Sequence, residues 1–279
     1  MSKKILIEKA SGEMQPFSVE KLEQSLKRSG ADGALILEVV EDVESWLKEG
    51  MTTRRIYNRA FSLLRRKRRS MAARYSLKKA IMELGPSGYP FEHFIGQLFK
   101  YQGFEVQVGE VVKGHCVSHE MDVIATNLTH QHLVECKFYN SPGKFASVQV
   151  PLYIRSRIDD IVRERQKDAA YQRFNFQGWV VTNTRFTTDA IDFGLCSGLK
   201  LLGWDFPEKR NLRQLIEEMR IFPITAITQL SKAEKAQLLN QGVVLCRQLL
   251  EKPGVLDNLR LKGNKREKIL DEVDDLCHG

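Results

Sequence analysis

The chain has 279 residues, of which 42% are apolar, and a formal net charge of +8. That length suits two or three modest domains, and the composition excludes a disordered chain. No apolar run approaches a membrane span, and the start Met1-Ser2-Lys3-Lys4-Ile5 lacks the apolar core of a signal peptide. Five scattered cysteines (Cys116, Cys136, Cys196, Cys246, Cys277) argue against a disulfide framework and for a reducing cytoplasm. The basic surplus is uneven. Residues 1–84 hold 18 Lys/Arg against 11 Asp/Glu, residues 85–207 hold 12 against 13, and residues 208–279 hold 13 against 11. Basic surface favours polyanions without distinguishing a nucleotide from DNA.

Residues 1–84 read as a short β-hairpin followed by helices. Ile5-Leu6-Ile7 and Met14-Gln15-Pro16-Phe17 flank the turn-forming Ser11-Gly12-Glu13. Ser18 is a good N-cap for a helix starting at Val19. A second helix is expected over about 34–48, a third from a cap at Thr52 or Thr53 to about residue 64, and a fourth over 70–84. Lys9 before the turn, Phe17-x-x-x-Lys21, Thr53-Arg54-Arg55-Ile56-Tyr57 and Ala73-Arg74-Tyr75 together resemble the ATP-cone, a nucleotide-binding regulatory domain best known from ribonucleotide reductases and their repressors. The resemblance implies ATP or dATP as a regulatory ligand, with Lys9, Lys21, Thr53 and Arg74 as binding residues. Lysines bring point charges to phosphates and a helix N-terminus brings amide donors. The same side chains also read as solvated basic residues on a small helical domain. The turn departs from the family's Lys-Arg-Asp-Gly, running Lys9-Ala10-Ser11-Gly12. The dense run at residues 65–69 is either a solvated loop or a contact to a DNA backbone.

From residue 90 the pattern changes. Phe91, Phe94, Ile95, Leu98 and Phe99 recur at helical spacing, and residues 103–108 alternate like a strand. His119-Glu120-Met121-Asp122-Val123-Ile124-Ala125 and Leu133-Val134-Glu135-Cys136-Lys137-Phe138 read as two strands joined by a hairpin turn over 126–131. With period-two alternation, Glu135 and Lys137 project to one side while Val134, Cys136 and Phe138 face the other. Charges inside apolar strands are costly unless compensated, and a divalent metal would compensate them. Asp122, Glu135 and Lys137 could also form a structural ion pair across two strands. A helix over about 146–166, a strand over 178–183, a helix over 188–198 and a strand over 199–204 complete the segment.

The Gly88-Tyr89-Pro90-Phe91-Glu92 helix start, the Asp122 and Glu135-Cys136-Lys137 strands and the Val180-Val181-Thr182-Asn183-Thr184 strand resemble the PD-(D/E)XK nuclease superfamily, in its branch related to Mrr-like type IV restriction endonucleases. That resemblance implies Mg²⁺ (or Mn²⁺) held by Asp122, Glu135 and the carbonyl of Cys136, with Lys137 as the catalytic amine. Glu92 matches an acidic position that completes such sites, and Gln149 a polar position on the second helix. Glu92 also reads as a helix-start residue favoured by the macrodipole, and Gln149 as a solvent-facing side chain. The motif Glu-Cys-Lys departs from the Gln-x-Lys of Mrr proteins. His115, His119, His130 and His132 flank the strands, but their spacing is not that of a zinc site, and His119 faces away from Asp122 on a regular strand.

Beyond Pro207 the sequence is helical and strand-poor, with helices expected near 212–217, 231–241, 245–251 and 264–276. The stretch from Leu238 to Val273 resembles a helix-hairpin-helix unit, implying DNA phosphates held by amides near Gly242 and Gly263. A packing or dimerisation module is the alternative. The expected fold is α/β: a restriction-endonuclease-like αβββαβ core (88–207), preceded by a small α+β ATP-cone (1–84) and followed by a small all-α module (208–279). The expected function is a cytoplasmic, Mg²⁺-dependent DNA endonuclease regulated by ATP or dATP, with no membrane partner and a homo-oligomer left open. A nucleotide-responsive DNA-binding protein with a silent nuclease fold is the alternative.

Overall fold

Two short strands, β1 (Leu6–Glu8) and β2 (Met14–Pro16), pair antiparallel with Ile7 opposite Gln15. The computed structural model describes residues 5–9, 11–141 and 143–279; the expected turn at Ser11-Gly12-Glu13 is present, with the Gly12 amide donating to the Lys9 carbonyl at 2.9 Å, and of the loop only Ala10 lies outside the described residues. Three helices follow: α1 (Val19–Arg28), α2 (Gly33–Trp46) and α3 (Thr53–Lys67). Each starts on a side-chain cap. Ser18, Asp32 and Thr52 accept from the amides of Lys21, Leu35 and Arg55 at 3.2, 2.8 and 3.3 Å, which satisfies donors the helix itself leaves free. Leu26, Val39, Val43, Ala60 and Leu64 are buried between them in an N-terminal cluster.

The helix expected over 70–84 breaks at Ser76 into α4 (Arg69–Tyr75) and α5 (Leu77–Met82). Packing explains the break. Ala72 belongs to the N-terminal cluster, whereas Leu77, Ala80 and Ile81 belong to a larger one beyond it. A straight helix could not serve both, and the Ser76 hydroxyl donates to the Ala73 carbonyl at the bend.

Next come α6 (Tyr89–Tyr101), β3 (Glu105–Lys113), β4 (Ser118–Thr126), β5 (His130–Lys137), β6 (Phe145–Ala146), α7 (Gln149–Arg165), β7 (Asn175–Thr182), β8 (Arg185–Phe186), α8 (Thr188–Cys196) and β9 (Lys200–Leu202). Five strands form one sheet in the order β3-β4-β5-β7-β9. The β3–β4 and β4–β5 pairs are antiparallel, and β5–β7 and β7–β9 are parallel. A parallel pair needs a crossover, and α7 supplies it between β5 and β7. This is the expected αβββαβ order. Phe91, Phe94, Ile95 and Leu98 of α6 cover one face, against Val123, Ala125, Val134 and Val181. Ile154, Ile158 and Ile161 of α7 cover the other, against Ile124, Leu133 and Val180.

The C-terminal region contains α9 (Leu212–Met219), a 3-10 turn (Ile224–Ala226), α10 (Lys232–Asn240), α11 (Gln248–Glu251), a second 3-10 turn (Pro253–Leu259) and α12 (Lys265–His278). It has no core of its own. Leu212, Phe222, Leu245 and Leu276 share one apolar cluster with Phe94, Val134 and Ile81. The helix-hairpin-helix expectation is corrected in one respect. The amides of Gly242 and Val243 donate to the carbonyls of Leu239 and Leu238, and those of Val244 and Leu245 to the Gln248 side chain at 2.8 Å each. Those amides are engaged inside the chain and are not offered to phosphates. Among the described residues, no helix is long and apolar enough to cross a membrane.

Candidate active site

The β4–β5 ladder stops at the pair Val123–Val134. Beyond it the Asp122 carboxylate takes the place of a strand partner, and its Oδ2 accepts from the Cys136 amide at 2.6 Å. Alternation then places Glu135 and Lys137 on the α7 side, while the Cys136 thiol is buried on the α6 side. Glu135 is 3% exposed, and each of its oxygens has a cation. Lys137 Nζ lies 2.6 Å from Oε1, and Arg157 of α7 bonds Oε2 through Nη1. Thr182 of β7 donates to the Lys137 carbonyl at 2.7 Å, fixing the strand end that carries the amine.

The electrostatics are those of crowded carboxylates. Burial, and next the charge of Glu135, push Asp122 up to about 7, against the pull of the Cys136 amide. Glu92 of α6 is raised as well, first by burial and then by Glu120 and Glu135. For Lys137, burial works against the charged form, but Glu135 and Asp122 outweigh it and hold the ammonium above its ordinary value. Glu92, Asp122, Glu135 and Lys137, drawn from three elements, thus influence one another directly. Glu120 joins them without having been singled out from the sequence.

The expected second-helix residue is not at the centre. Gln149 is exposed in the first turn of α7, and it makes no hydrogen bond to Asp122, Glu135 or Lys137 among the described residues. Arg157, two turns further on, reaches Glu135 instead and packs 5.3 Å from the Tyr153 ring centroid. A sequence signal for it exists: Arg157 sits among Ile154, Ile158 and Ile161, the buried stripe of α7. A cation on an apolar stripe requires an anion to meet it.

Among the described residues, none of the four histidines forms a hydrogen bond or ion pair with Glu92, Asp122 or Glu135. His119 bonds Asp160 of α7 at 2.8 Å, and Asp160 also accepts from the amides of Cys116 and Val117. His132 packs against Phe99, Phe104 and Trp179, and burial lowers it to about 4. Among the described residues, no three His, Cys, Asp or Glu side chains are grouped so as to hold a metal ion. A metal at Asp122 and Glu135 would therefore need a backbone oxygen or water to complete its shell.

In the N-terminal region, Lys21 and Thr53 line one cavity of about 210 Å³, together with Phe17, Tyr57 and Tyr75. The other two expected nucleotide residues are directed elsewhere. Lys9 is 3.0 Å from Glu13, its partner across the hairpin. Arg74 donates to the Gly279 carbonyl at 3.3 Å and lies over the Phe222 ring, joining α4 to the C-terminal region.

With this geometry in view, residues 86–205 match the family model described as "Restriction endonuclease", and the domain has the PD-(D/E)XK nuclease fold. Residues 222–277 match the model described as "AF1548-like, C-terminal". An uncharacterized protein of Archaeoglobus fulgidus is 32% identical over 157 residues, which cover 56% of this chain and 83% of the archaeal one. The crystal structure of AF1548, a protein of unknown function, superposes with a TM-score of 0.55 at 30% identity, covering 68% of this chain and 98% of that one. The chain belongs to the AF1548-like family.

Proposed function

We propose that the protein is a Mg²⁺- or Mn²⁺-dependent DNA endonuclease whose hydrolytic centre is Asp122, Glu135 and Lys137. The observation that carries this reading is the opening of the β4–β5 ladder at Val123–Val134, where Asp122 meets the buried Glu135–Lys137 pair beside Glu92. The donors are hard oxygens: the carboxylates of Asp122 and Glu135 and the carbonyl of Cys136, a set that suits Mg²⁺, with the Glu92 carboxylate near enough to act on them electrostatically. A carboxylate that burial, and next the charge of Glu135, push to about 7 gains from a divalent cation beside it. When bound, such a metal polarises a phosphoryl oxygen and lowers the pKa of its water.

The chain's own residues have separate tasks in this reading. Lys137 stays protonated, orients the attacking water and offsets negative charge as it grows on the phosphorus oxygens. Glu135 fixes the Lys137 ammonium, and Arg157 offers a second positive charge beside it. The nearly neutral nuclease segment borrows charge for DNA from residues 65–69, and ATP or dATP binds the hairpin cavity through Lys21 and Thr53 as a regulator. The test is cleavage of modified and unmodified DNA with Mg²⁺ or Mn²⁺, with and without ATP or dATP. Metal-dependent strand scission supports the reading.

A second reading has its own observation. Both oxygens of Glu135 are already neutralised by Lys137 and Arg157. That is also what a nucleotide-responsive DNA-binding protein with a silent nuclease fold would keep as a structural ion cluster. It predicts DNA binding and no cleavage by the parent under any metal and nucleotide condition.

A further inference from the structure

We propose that the cavity enclosed by α3, α5 and residues 225–235 is a binding site for a di- or triphosphate group, separate from the hairpin cavity. It measures about 230 Å³, and its walls include Tyr57, Phe61 and Arg65 of α3, Lys79 of α5, Glu83 just beyond α5, and Lys235 of α10. Residues 57, 61 and 65 stand at intervals of four and so share one stripe of α3. The Tyr57 and Phe61 rings stack with centroids 6.2 Å apart, and the Arg65 guanidinium lies 6.0 Å from the Phe61 centroid.

The charges of this cavity are under-compensated. Arg65, Lys79 and Lys235 face a single carboxylate, Glu83, which lies 3.8 Å from Lys79 and 3.5 Å from Lys235. Arg65 has no carboxylate partner among the described residues. Lys235 is the most enclosed of the three, with its side chain 16% exposed, and its one close bond is to the Thr225 carbonyl at 2.5 Å. Burial pulls its pKa down despite Glu83, so an added anion would restore what burial removes. The Tyr57 hydroxyl is buried at the cavity wall beside Ser76, whose side chain lies within hydrogen-bonding reach of it. The cavity is too small for a whole nucleotide, but Arg65 and Thr228 also line an adjoining cleft of about 520 Å³ bordered by residues 65–69. Phosphates would sit in the smaller space, with any nucleoside reaching into the larger.

The position gives such a ligand mechanical reach. It would join α3 of the N-terminal cluster to α10 of the C-terminal region through α5. On α5, Lys78 donates to the Asn183 carbonyl at 2.5 Å, and the Asn183 side chain bonds both the amide and the carbonyl of Tyr139, two residues beyond Lys137.

Calorimetry on the full chain without metal tests the site with three probes: sodium triphosphate, ATP and adenosine. Triphosphate and ATP bind, and Arg65→Ala/Lys79→Ala weakens triphosphate by roughly tenfold or more, the equivalent of one lost charged contact. Both substituted side chains are exposed, and a thermal melt confirms that the variant is folded. Lys21→Ala, which reports on the hairpin cavity, does not reproduce that loss. ATP binding tighter than triphosphate at this site identifies a nucleotide as the occupant, and equal affinity identifies inorganic polyphosphate. Triphosphate binding that is absent at millimolar concentration, or unchanged in the folded double variant, overturns the proposal. So does binding of a DNA oligonucleotide in place of triphosphate.

Discussion

Asp122 and Asp160 belong to the same sheet-and-helix domain and live in opposite circumstances. Asp160 accepts from His119 and from the amides of Cys116 and Val117, and these bonds hold it far below the usual carboxylate range. Asp122 has one amide, from Cys136, and burial first and the Glu135 charge next raise it to about 7. One carboxylate is satisfied by the fold and ties β4 to α7. The other is left wanting by the fold, at the place where the ladder opens. In the proposed function, the second aspartate is the one that a divalent metal would complete.

The largest effect should come from Glu135→Ala. It removes a proposed metal ligand and strands Lys137 and Arg157 without their anion, so DNA cleavage should fall by roughly 10²–10³-fold or more. A gel assay with Mg²⁺ measures it. Arg157→Ala leaves Glu135 with one cation. Chemical denaturation should show a loss of about 1–3 kcal/mol, the cost of a buried charge losing one charged hydrogen bond. A loss near zero would mean that Lys137 alone satisfies Glu135.

Asp122→Asn should act in the opposite direction on stability. A carboxyl raised in the folded state favours the protonated form there, so the ionised form costs stability. That cost appears as pH climbs through the unfolded value near 4 and is complete above about 7. The metal-free variant should therefore be more stable than the parent by ~1–3 kcal/mol at pH 8, with the gain vanishing below pH ~4. Asp160→Asn should show the converse. Its depressed pKa supports the fold above the unfolded value and loses that support as pH falls through the folded one, so the variant melts earlier at neutral pH and converges with the parent in strong acid. If the two variants shifted in the same direction at neutral pH, the contrast drawn between these aspartates would fail. The smallest effect concerns the proposed regulatory ligand: Lys21→Ala should weaken ATP or dATP by roughly tenfold, read by calorimetry on the full chain.

Much of the catalytic region was legible because strands write their geometry in period two. Glu135 and Lys137 on one side and Val134 and Cys136 on the other follow from alternation alone, and the structure keeps that arrangement. The features that were not legible depend on contacts distant in sequence. Arg157 reaches Glu135 across 22 positions, and nothing local distinguishes it from Arg155 except its place among buried isoleucines. Ser76 breaks a helix whose own pattern is continuous, because Leu77 and Ile81 are drawn into a core shared with the C-terminal region. That shared core is also invisible in the helical pattern of residues 208–279, which marks a small all-α module but not the elements it packs against. Gln248 holds the amides of Val244 and Leu245, a contact that the helical pattern of residues 245–251 does not signal.

Whether the open end of the β4–β5 ladder is a hydrolytic centre is tested most directly by the Mg²⁺-dependent nicking rate of supercoiled DNA by the parent and by Lys137→Ala, each shown to be folded by its melting curve. A hydrolytic centre there gives nicking by the parent that stops when Mg²⁺ is chelated, and a Lys137→Ala rate lower by roughly 10²-fold or more. Nicking at the parent's rate by Lys137→Ala, or none by the parent with any divalent metal, would contradict it.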